Sequence, residues 1–407
     1  MERSDFVIIC LIFLTFGLFS KKLKKTMITV PMAFVFFGIL FGPRFFNLIH
    51  LKLGNEVIRI IAELTLVLVL FTDAARINLF NLKKDHNLPI RLLSVGLILT
   101  IVFGAILAYL FFPSLTFWES AILATVLAPT DAALSHVVVS KKTKENGLVL
   151  PIIMILISFA SVIDRTEPVS VWAIFIAKQL GFGVLVGLIV GFLGGRLYQI
   201  GDQRKWMGKT FEKLFILVLA LLTYSLSSFI GGNGFLAAFL GGLSLGKATH
   251  SIKRGIQEFA ATEGFLLSLL LYLFFGAIFA GPLLNAINGY IILYAILSLT
   301  IIRMLPVWLS LIGCRLRWES IFYIGWFGPR GIASIVFALM VLEDPDILQK
   351  HEIFLIATTT ILLSFFAHGL TSLPFANWYA ERTKKKAGKK WEEHKSVGEL
   401  PVRIPHD

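Results

Sequence analysis

The sequence LAPTD at residues 127–131 lies at the centre of an apolar run that extends over residues 118–140. Pro129 removes one backbone donor from a helix and clashes with the preceding turn, so it releases carbonyls near residues 125–127. Thr130 and Asp131 then add a hydroxyl and a carboxylate. A charge at this depth of a bilayer is costly unless it is paired, hydrated or neutralised. The segment is therefore predicted to be part of an ion site; the alternative is that Asp131 only caps a helix fragment.

The composition predicts an all-α polytopic membrane protein. The chain has 407 residues, of which 57% are hydrophobic and only 15% are charged. Roughly a dozen apolar runs have the length of about twenty residues that a helix needs to cross a bilayer. The net charge of +13 is divided among short basic clusters between these runs. That pattern is typical of the loops that flank membrane helices, so the expected surroundings are a lipid bilayer and nucleic acid is not an expected partner.

About thirteen transmembrane helices are predicted from the apolar runs. They are placed at residues 5–20, 27–41, 57–77, 90–112, 118–140, 150–177, 180–199, 213–230, 234–246, 259–281, 288–312, 319–342 and 352–376. The basic clusters fall in alternate loops, which predicts a multi-pass protein of the cell membrane with its N-terminus outside and its C-terminus cytoplasmic. Residues 1–380 are predicted to form the transmembrane domain. Residues 381–407 are predicted to be a basic cytoplasmic tail, disordered because it lacks apolar periodicity.

Two of the predicted helices are interrupted near their middles. Pro129 interrupts the fifth, and Gly328 with Pro329 interrupts the twelfth, at comparable positions in the two halves of the chain. Paired broken helices of this kind indicate an inverted-repeat transporter with its site near the bilayer midplane.

Further charges lie inside the predicted membrane segments. Asp164 and Glu167 share one face of the sixth predicted helix, and Arg165 points away from Asp164. The alternative is that the chain breaks there and these charges lie in an outside loop. Arg330 stands at the centre of the twelfth predicted helix, where it must pair with an acid or line water. Asp131, Asp164 and Glu167 are its candidate partners.

Two polar residues are given supporting roles. Asp73 lies near the inner end of the third predicted helix, three residues before Arg76. A local ion pair or a place in a cytoplasmic funnel is predicted for it, in preference to direct coordination of the ion. His368 lies near the middle of the last predicted helix, where a hydrogen-bonded packing role is expected and pH sensing is the alternative.

Four motifs resemble the bacterial NhaP-type Na+/H+ antiporters, which are monovalent cation:proton antiporters related to the sodium/proton exchangers. They are LFTDA at 70–74, LAPTD at 127–131, FGPRG at 327–331 and HGLT at 368–371. The resemblance implies a thirteen-helix inverted-repeat fold with two broken, crossing helices, usually dimeric, that serves pH homeostasis. It also implies that Thr130 and Asp131 belong to a crossing helix beside the ion and that Arg330 balances charge.

The chain departs from this family at one important position. The family pattern has an Asn-Asp pair on the sixth helix, whereas the matching place here reads SVIDR at residues 161–165. Arg165 thus stands where the resemblance leads us to expect the cation-binding aspartate. Asp164 is therefore predicted to take the carrier role, with Glu167 second.

The predicted function is secondary exchange of a monovalent cation, Na+, for H+. A carboxylate removed from water has a raised pKa, so it prefers a proton or a cation to standing bare. Asp131 and Asp164 are the predicted Na+ ligands, and the transported ions take the place of any cofactor. An enzyme is not expected, since the sequence has no metal cluster, nucleophile triad or phosphate loop. The alternative is a transport-silent scaffold or sensor whose site is occupied by Arg165; a passive channel is a further one.

Overall fold

The computed structural model describes residues 3–23, 26–50, 56–75, 87–128, 169–248, 254–314 and 316–385. Within these ranges the chain consists of helices, turns and short irregular segments. The α-helices in chain order are α1 (Arg3–Leu23), α2 (Val30–Phe41), α3 (Glu56–Ala75), α4 (Asn87–Arg91), α5 (Leu97–Phe111), α6 (Phe117–Val126), α7 (Val169–Gln203), α8 (Lys209–Phe229), α9 (Gly234–Ala248), α10 (Arg254–Phe274), α11 (Gly281–Leu283), α12 (Gly289–Leu299), α13 (Ile301–Ser310), α14 (Trp318–Trp326), α15 (Ile332–Glu343) and α16 (Lys350–Lys385). Two π-helical turns, Leu92–Gly96 and Phe275–Ala280, link α4 to α5 and α10 to α11.

The helices confirm the prediction of an all-α multi-pass membrane protein. Seven segments among the described residues are long and apolar enough to cross a bilayer: Ser4–Lys22, Ser94–Phe111, Ala177–Gln203, Thr210–Phe229, Thr262–Leu283, Gly289–Ser310 and Lys350–Arg382. Several helices leave large apolar side chains such as Leu18, Leu197 and Phe211 exposed. Such exposure is costly in water and matches lipid surroundings.

The predicted break at Gly328 and Pro329 is confirmed. α14 ends at Trp326 and α15 begins at Ile332, so residues 327–331 are not helical. Proline cannot donate to the helical ladder, and glycine tolerates the backbone conformations of such a break. The other predicted break begins where α6 ends, at Val126 with Leu127 as its C-cap. Pro129 itself lies outside the described residues.

The prediction of separate helices at 150–177 and 180–199 is wrong where it can be compared with the structure. α7 is one continuous helix of 35 residues from Val169 to Gln203 and passes through the supposed boundary. Two polar residues, Lys178 and Gln179, stand at the predicted boundary in an otherwise apolar run. Both are good helix formers, and no proline or glycine stops the helix between residues 177 and 180.

Two other predicted helices also differ from the structure. The predicted helix at 288–312 is split at Thr300, whose backbone torsions (φ −109°, ψ −92°) are not helical. The last helix, predicted at 352–376, runs from Lys350 to Lys385 and therefore includes the first residues of the predicted tail. The split at Thr300 matters for the site, because it frees a carbonyl of the preceding turn from the helical ladder.

The described residues pack into two compact units. One takes its residues from Met1–Ala62, Ser94–Ser140 and Ser268–Ser396, and the other from Glu63–Leu93 and Lys141–Leu267. In the first unit, glycines allow α2 and the π-helical turn after α10 to approach backbone to backbone, since a Cβ on Gly276 would collide with the Val35 carbonyl. In the second unit, a Cβ on Gly242 of α9 would collide with the Phe71 carbonyl of α3, so this glycine also allows two helices to approach closely. Small residues permit such close helix contacts in membranes.

We expect Gly242→Ala to destabilise the protein by about 1–3 kcal/mol, the usual cost of overpacking. The added methyl group collides with the backbone of α3, two residues before Asp73, and neither helix can yield by rotating a side chain. The measurement is the midpoint of thermal unfolding in detergent. Gly181→Ala is the matched control, because a Cβ at that helical glycine meets no atom within 4 Å. Equal midpoints for the two variants would contradict the close packing of α9 on α3.

Candidate functional site

A wholly buried arginine occupies the break between α14 and α15. Arg330 has no exposed surface. Its Nε donates to the Leu127 carbonyl at 2.9 Å and its Nη1 to the Gly328 carbonyl at 2.8 Å. Its Nη2 donates to the carbonyl of Ser298 at 2.7 Å and to the hydroxyl of Ser298 at 3.2 Å. One guanidinium therefore joins three separate segments of the chain.

Two of the three carbonyls belong to the C-terminal ends of helices, and the third lies in the break. Leu127 is the C-cap of α6, Ser298 lies in the last turn of α12, and Gly328 lies two residues past the end of α14. The carbonyls of Leu127 and Ser298 have lost their helical donors and carry the partial negative charge of the helix dipole. Arg330 thus supplies both hydrogen bonds and charge to two helix ends.

The acids that the sequence suggested as partners of Arg330, namely Asp131, Asp164 and Glu167, lie outside the described residues. Among the described residues the donors of Arg330 reach neutral carbonyls and one hydroxyl rather than a carboxylate. Arg303 of α13 is also buried, with 7% of its surface exposed. The first unit therefore holds two buried arginines, and helix-end carbonyls supply partial negative charge to one of them, Arg330.

Local sequence explains why α6 points its end at Arg330. Thr116 and Glu119 form a capping box at the start of the helix, with the Thr116 backbone N–H donating to Glu119 Oε2 at 2.9 Å. The second oxygen, Oε1, accepts from the backbone N–H of Gln349 at 2.8 Å. Glu119 thus fixes the N-terminus of α6 to the start of α16. A carboxylate is favourable at both helix N-termini.

The backbone of the break is held by α16. The Arg330 N–H donates to the hydroxyl of Ser364 at 2.9 Å. His368 lies one turn further along, 3.0 Å from Ser364 Oγ through Nδ1 and 2.9 Å from the Trp326 carbonyl through Nε2. His368 is fully buried, so the expected hydrogen-bonded packing role is the one observed.

The four predicted ion ligands, Thr130, Asp131, Asp164 and Glu167, lie outside the described residues, as does Arg165, which was predicted to balance charge. Asp73 is described: it is half-buried near the end of α3, and its funnel role stays a prediction. Within the described ranges, no group of three or more His, Cys, Asp or Glu side chains is placed to hold a metal ion.

Sequence reasoning found Arg330 but missed the residues that hold it. Ser298 was read as part of an ordinary apolar helix, and Ser364 was not considered. One signal was available, since Ser364, His368 and Thr371 have the spacing i, i+4, i+7 and form a polar stripe on one face of an apolar helix. No comparable pattern identifies Ser298, because its role depends on the break at Thr300.

An all-helical membrane protein with a broken helix and an internal charge at the break has the architecture of a secondary transporter. The family described as sodium/hydrogen exchanger, transmembrane, matches the chain over residues 7–378. The chain therefore belongs to this family, and its resemblance to the NhaP-type antiporters is confirmed.

Individual relatives are distant in sequence but similar along most of the chain. A Na(+)/H(+) antiporter from Schizosaccharomyces pombe is 23% identical over 90% of this chain and 88% of its own length. The K(+)/H(+) antiporter NhaP from Alkalimonas amylolytica is 24% identical over 88% of this chain, which spans 64% of that relative. The structure of the sodium proton antiporter MjNhaP1 from Methanocaldococcus jannaschii matches with a TM-score of 0.72, at 20% identity, over 91% of this chain and all of that one. The fold is thus that of an NhaP-type antiporter.

Proposed function

We propose that this protein exchanges Na+ for H+ across the cell membrane, through carboxylates that bind the cation and the proton in competition. Membership of the sodium/hydrogen exchanger family supports exchange of a monovalent cation for protons. The named relatives include both Na(+)/H(+) and K(+)/H(+) antiporters, so the choice of Na+ is the finer part of the proposal. The protein works as a homodimer with its N-terminus outside and its C-terminus in the cytoplasm, and it contributes to pH homeostasis.

The observation that carries the proposal is the buried guanidinium of Arg330 on the last carbonyl of α6. Leu127, which accepts from Arg330 Nε, is only four residues before Asp131. A fixed positive charge at the end of α6 stabilises an ionised carboxylate nearby. The same charge prevents two carboxylates from retaining a cation too tightly. Arg330 therefore serves to keep the site close to balance between its cation-bound and proton-bound forms.

The proposed ligands are oxygen atoms, as a small hard cation requires. Asp131 and Asp164 supply carboxylates, Thr130 supplies a hydroxyl, and Glu167 is the second carboxylate of its segment. Each carboxylate binds Na+ only when it is free of its proton, whereas the Thr130 hydroxyl coordinates through a lone pair and keeps its hydrogen. Occupation by one ion therefore excludes the other, which is the condition for coupled exchange.

The experiment is dissipation of a pH gradient in proteoliposomes. Vesicles with an acidic interior and a pH-sensitive dye receive Na+, Li+ or K+ from outside. We expect Na+ to release protons from the lumen, with K+ less effective at equal concentration; protein-free vesicles serve as the control. Absence of a response to all three ions contradicts the proposal and favours the transport-silent alternative with Arg165 in the site. A larger response to K+ retains exchange and rejects Na+ as the preferred ion.

A further inference from the structure

We propose that His368 is a positioning residue for the ion site: it fixes the broken backbone between α14 and α15, and through that backbone it sets the direction of the Arg330 guanidinium. The inference rests on the proposed function for its consequence in transport. Its geometrical part rests only on contacts among described residues of the first unit.

The hydrogen bonds around His368 connect both sides of the break to α16. Nε2 lies 2.9 Å from the Trp326 carbonyl, to which it can only donate. Nδ1 lies 3.0 Å from both the hydroxyl and the carbonyl of Ser364, so it can bond to Ser364 whether or not it carries a hydrogen. The oxygen of that hydroxyl accepts from the Arg330 N–H. The chain of bonds begins and ends on the break and passes through α16.

The two ends of this chain bracket the irregular segment. Trp326 is the last residue of α14, and Arg330 lies two residues before α15. The break leaves the Arg330 N–H without a helical acceptor. The Trp326 carbonyl keeps one backbone donor, the Gly328 N–H at 2.9 Å, and His368 adds a second hydrogen bond to it. A buried backbone group without a partner is strongly disfavoured. Ser364 and His368 therefore stabilise this one conformation of the break.

Two further contacts fix the turn of α16 that carries His368. Trp326 Nε1 donates to Thr371 Oγ1 at 2.9 Å, on the same face of α16. On the opposite side α2 packs closely: a Cβ on Gly369 would lie 3.0 Å from Thr29 Oγ1 and 3.2 Å from Met32 Sδ. The helix can neither rotate nor withdraw without losing these contacts. His368 is thus held rigidly enough to position a neighbour.

The functional consequence follows from the shape of the guanidinium. Its fork reaches the carbonyls of Leu127, Gly328 and Ser298 only if the Cα of Arg330 is correctly placed. That Cα adjoins the N–H held by Ser364. A shift of the break therefore moves the positive charge relative to the end of α6, and it alters the affinity for the cation more than the rate of the conformational change.

Hydrogen–deuterium exchange of the wild-type protein and its variants, reconstituted in nanodiscs, tests the geometrical part. We expect His368→Ala and Ser364→Ala to accelerate exchange of the amides within residues 326–332 about tenfold, as loss of one buried hydrogen bond implies. His368→Gln restores slow exchange, because its amide donates to the Trp326 carbonyl. Ser372→Ala is the matched control, since among the described residues that buried hydroxyl donates to the Gly369 carbonyl of its own helix and does not contact the break.

Transport gives the second readout. In proteoliposomes we expect His368→Ala to raise the apparent KM for Na+ about tenfold, with a smaller change in maximal rate, and His368→Gln to lie within about twofold of the wild type. The positioning role is overturned if the amides within residues 326–332 exchange with deuterium as slowly in His368→Ala as in the wild type. It is also overturned if His368→Gln does not restore slow deuterium exchange of these amides. If the wild-type protein moves no ions, the proposed function fails. The hydrogen–deuterium exchange data still decide whether His368 holds the break.

Discussion

Replacement of Arg330 by glutamine is expected to reduce Na+-driven proton flux about a thousandfold. The guanidinium binds the ends of two helices and one carbonyl of the break, and we expect glutamine to reach only one of the three carbonyls. Loss of two hydrogen bonds from a charged donor costs about 3–6 kcal/mol. A cost of ~4 kcal/mol that raises the barrier of the transport cycle lowers the proton flux by about three orders of magnitude.

Lysine at the same position separates charge from geometry. Arg330→Lys keeps the positive charge but replaces the fork with one compact ammonium group. We expect a loss of about thirtyfold, between the wild type and the glutamine variant, because charge is retained and part of the hydrogen bonding is lost. Initial rates of pH-gradient dissipation provide the measurement, and Arg44→Gln, at an exposed arginine, is the control. Full activity in Arg330→Gln contradicts the charge-balancing role.

Asp164→Asn is expected to abolish cation-dependent proton movement. Asparagine has nearly the same shape as aspartate but neither ionises nor takes up a proton in this range of pH. If Asp164 carries the ion in place of the aspartate that the family has at the position of Arg165, the asparagine variant has no residual exchange. The same vesicle assay measures the effect, with the amount of inserted protein determined in parallel.

Two other predicted site carboxylates provide the comparison for Asp164. Glu167→Gln is expected to weaken exchange without abolishing it, and Asp73→Asn to change it only a few-fold, as suits a residue at the end of α3. Unchanged exchange in Asp164→Asn assigns the carrier role elsewhere. If Asp164→Asn retains cation-dependent proton movement and Asp131→Asn abolishes it, Asp131 is the carrier.

The fold was largely predictable because its signals are local. Apolar runs located most of the helices, and proline with glycine located the break before α15. Pro129 predicted free carbonyls near residues 125–127, and the Leu127 carbonyl indeed accepts from Arg330. The predicted boundary between the sixth and seventh helices was wrong, because Lys178 and Gln179 at that place continue a helix readily.

The support of the site was not predictable from local signals. Arg330 was recognised as costly and in need of partners, but its observed partners are backbone carbonyls, which every residue possesses. Which carbonyls are free depends on where three helices end and on whether those ends meet. Ser298 illustrates the limit: its carbonyl would accept within an unbroken helix, and only the break at Thr300 releases it.

The dependence of the Na+ affinity on pH tests the competition between cation and proton most directly. The apparent KM for Na+ is measured in proteoliposomes at several pH values on the acidic side of the activity maximum. Competition at shared carboxylates predicts that KM rises about tenfold for each unit by which the pH falls, with an unchanged maximal rate at saturating Na+. A KM that stays constant while the maximal rate falls would place the proton and the cation at separate sites and contradict competitive binding.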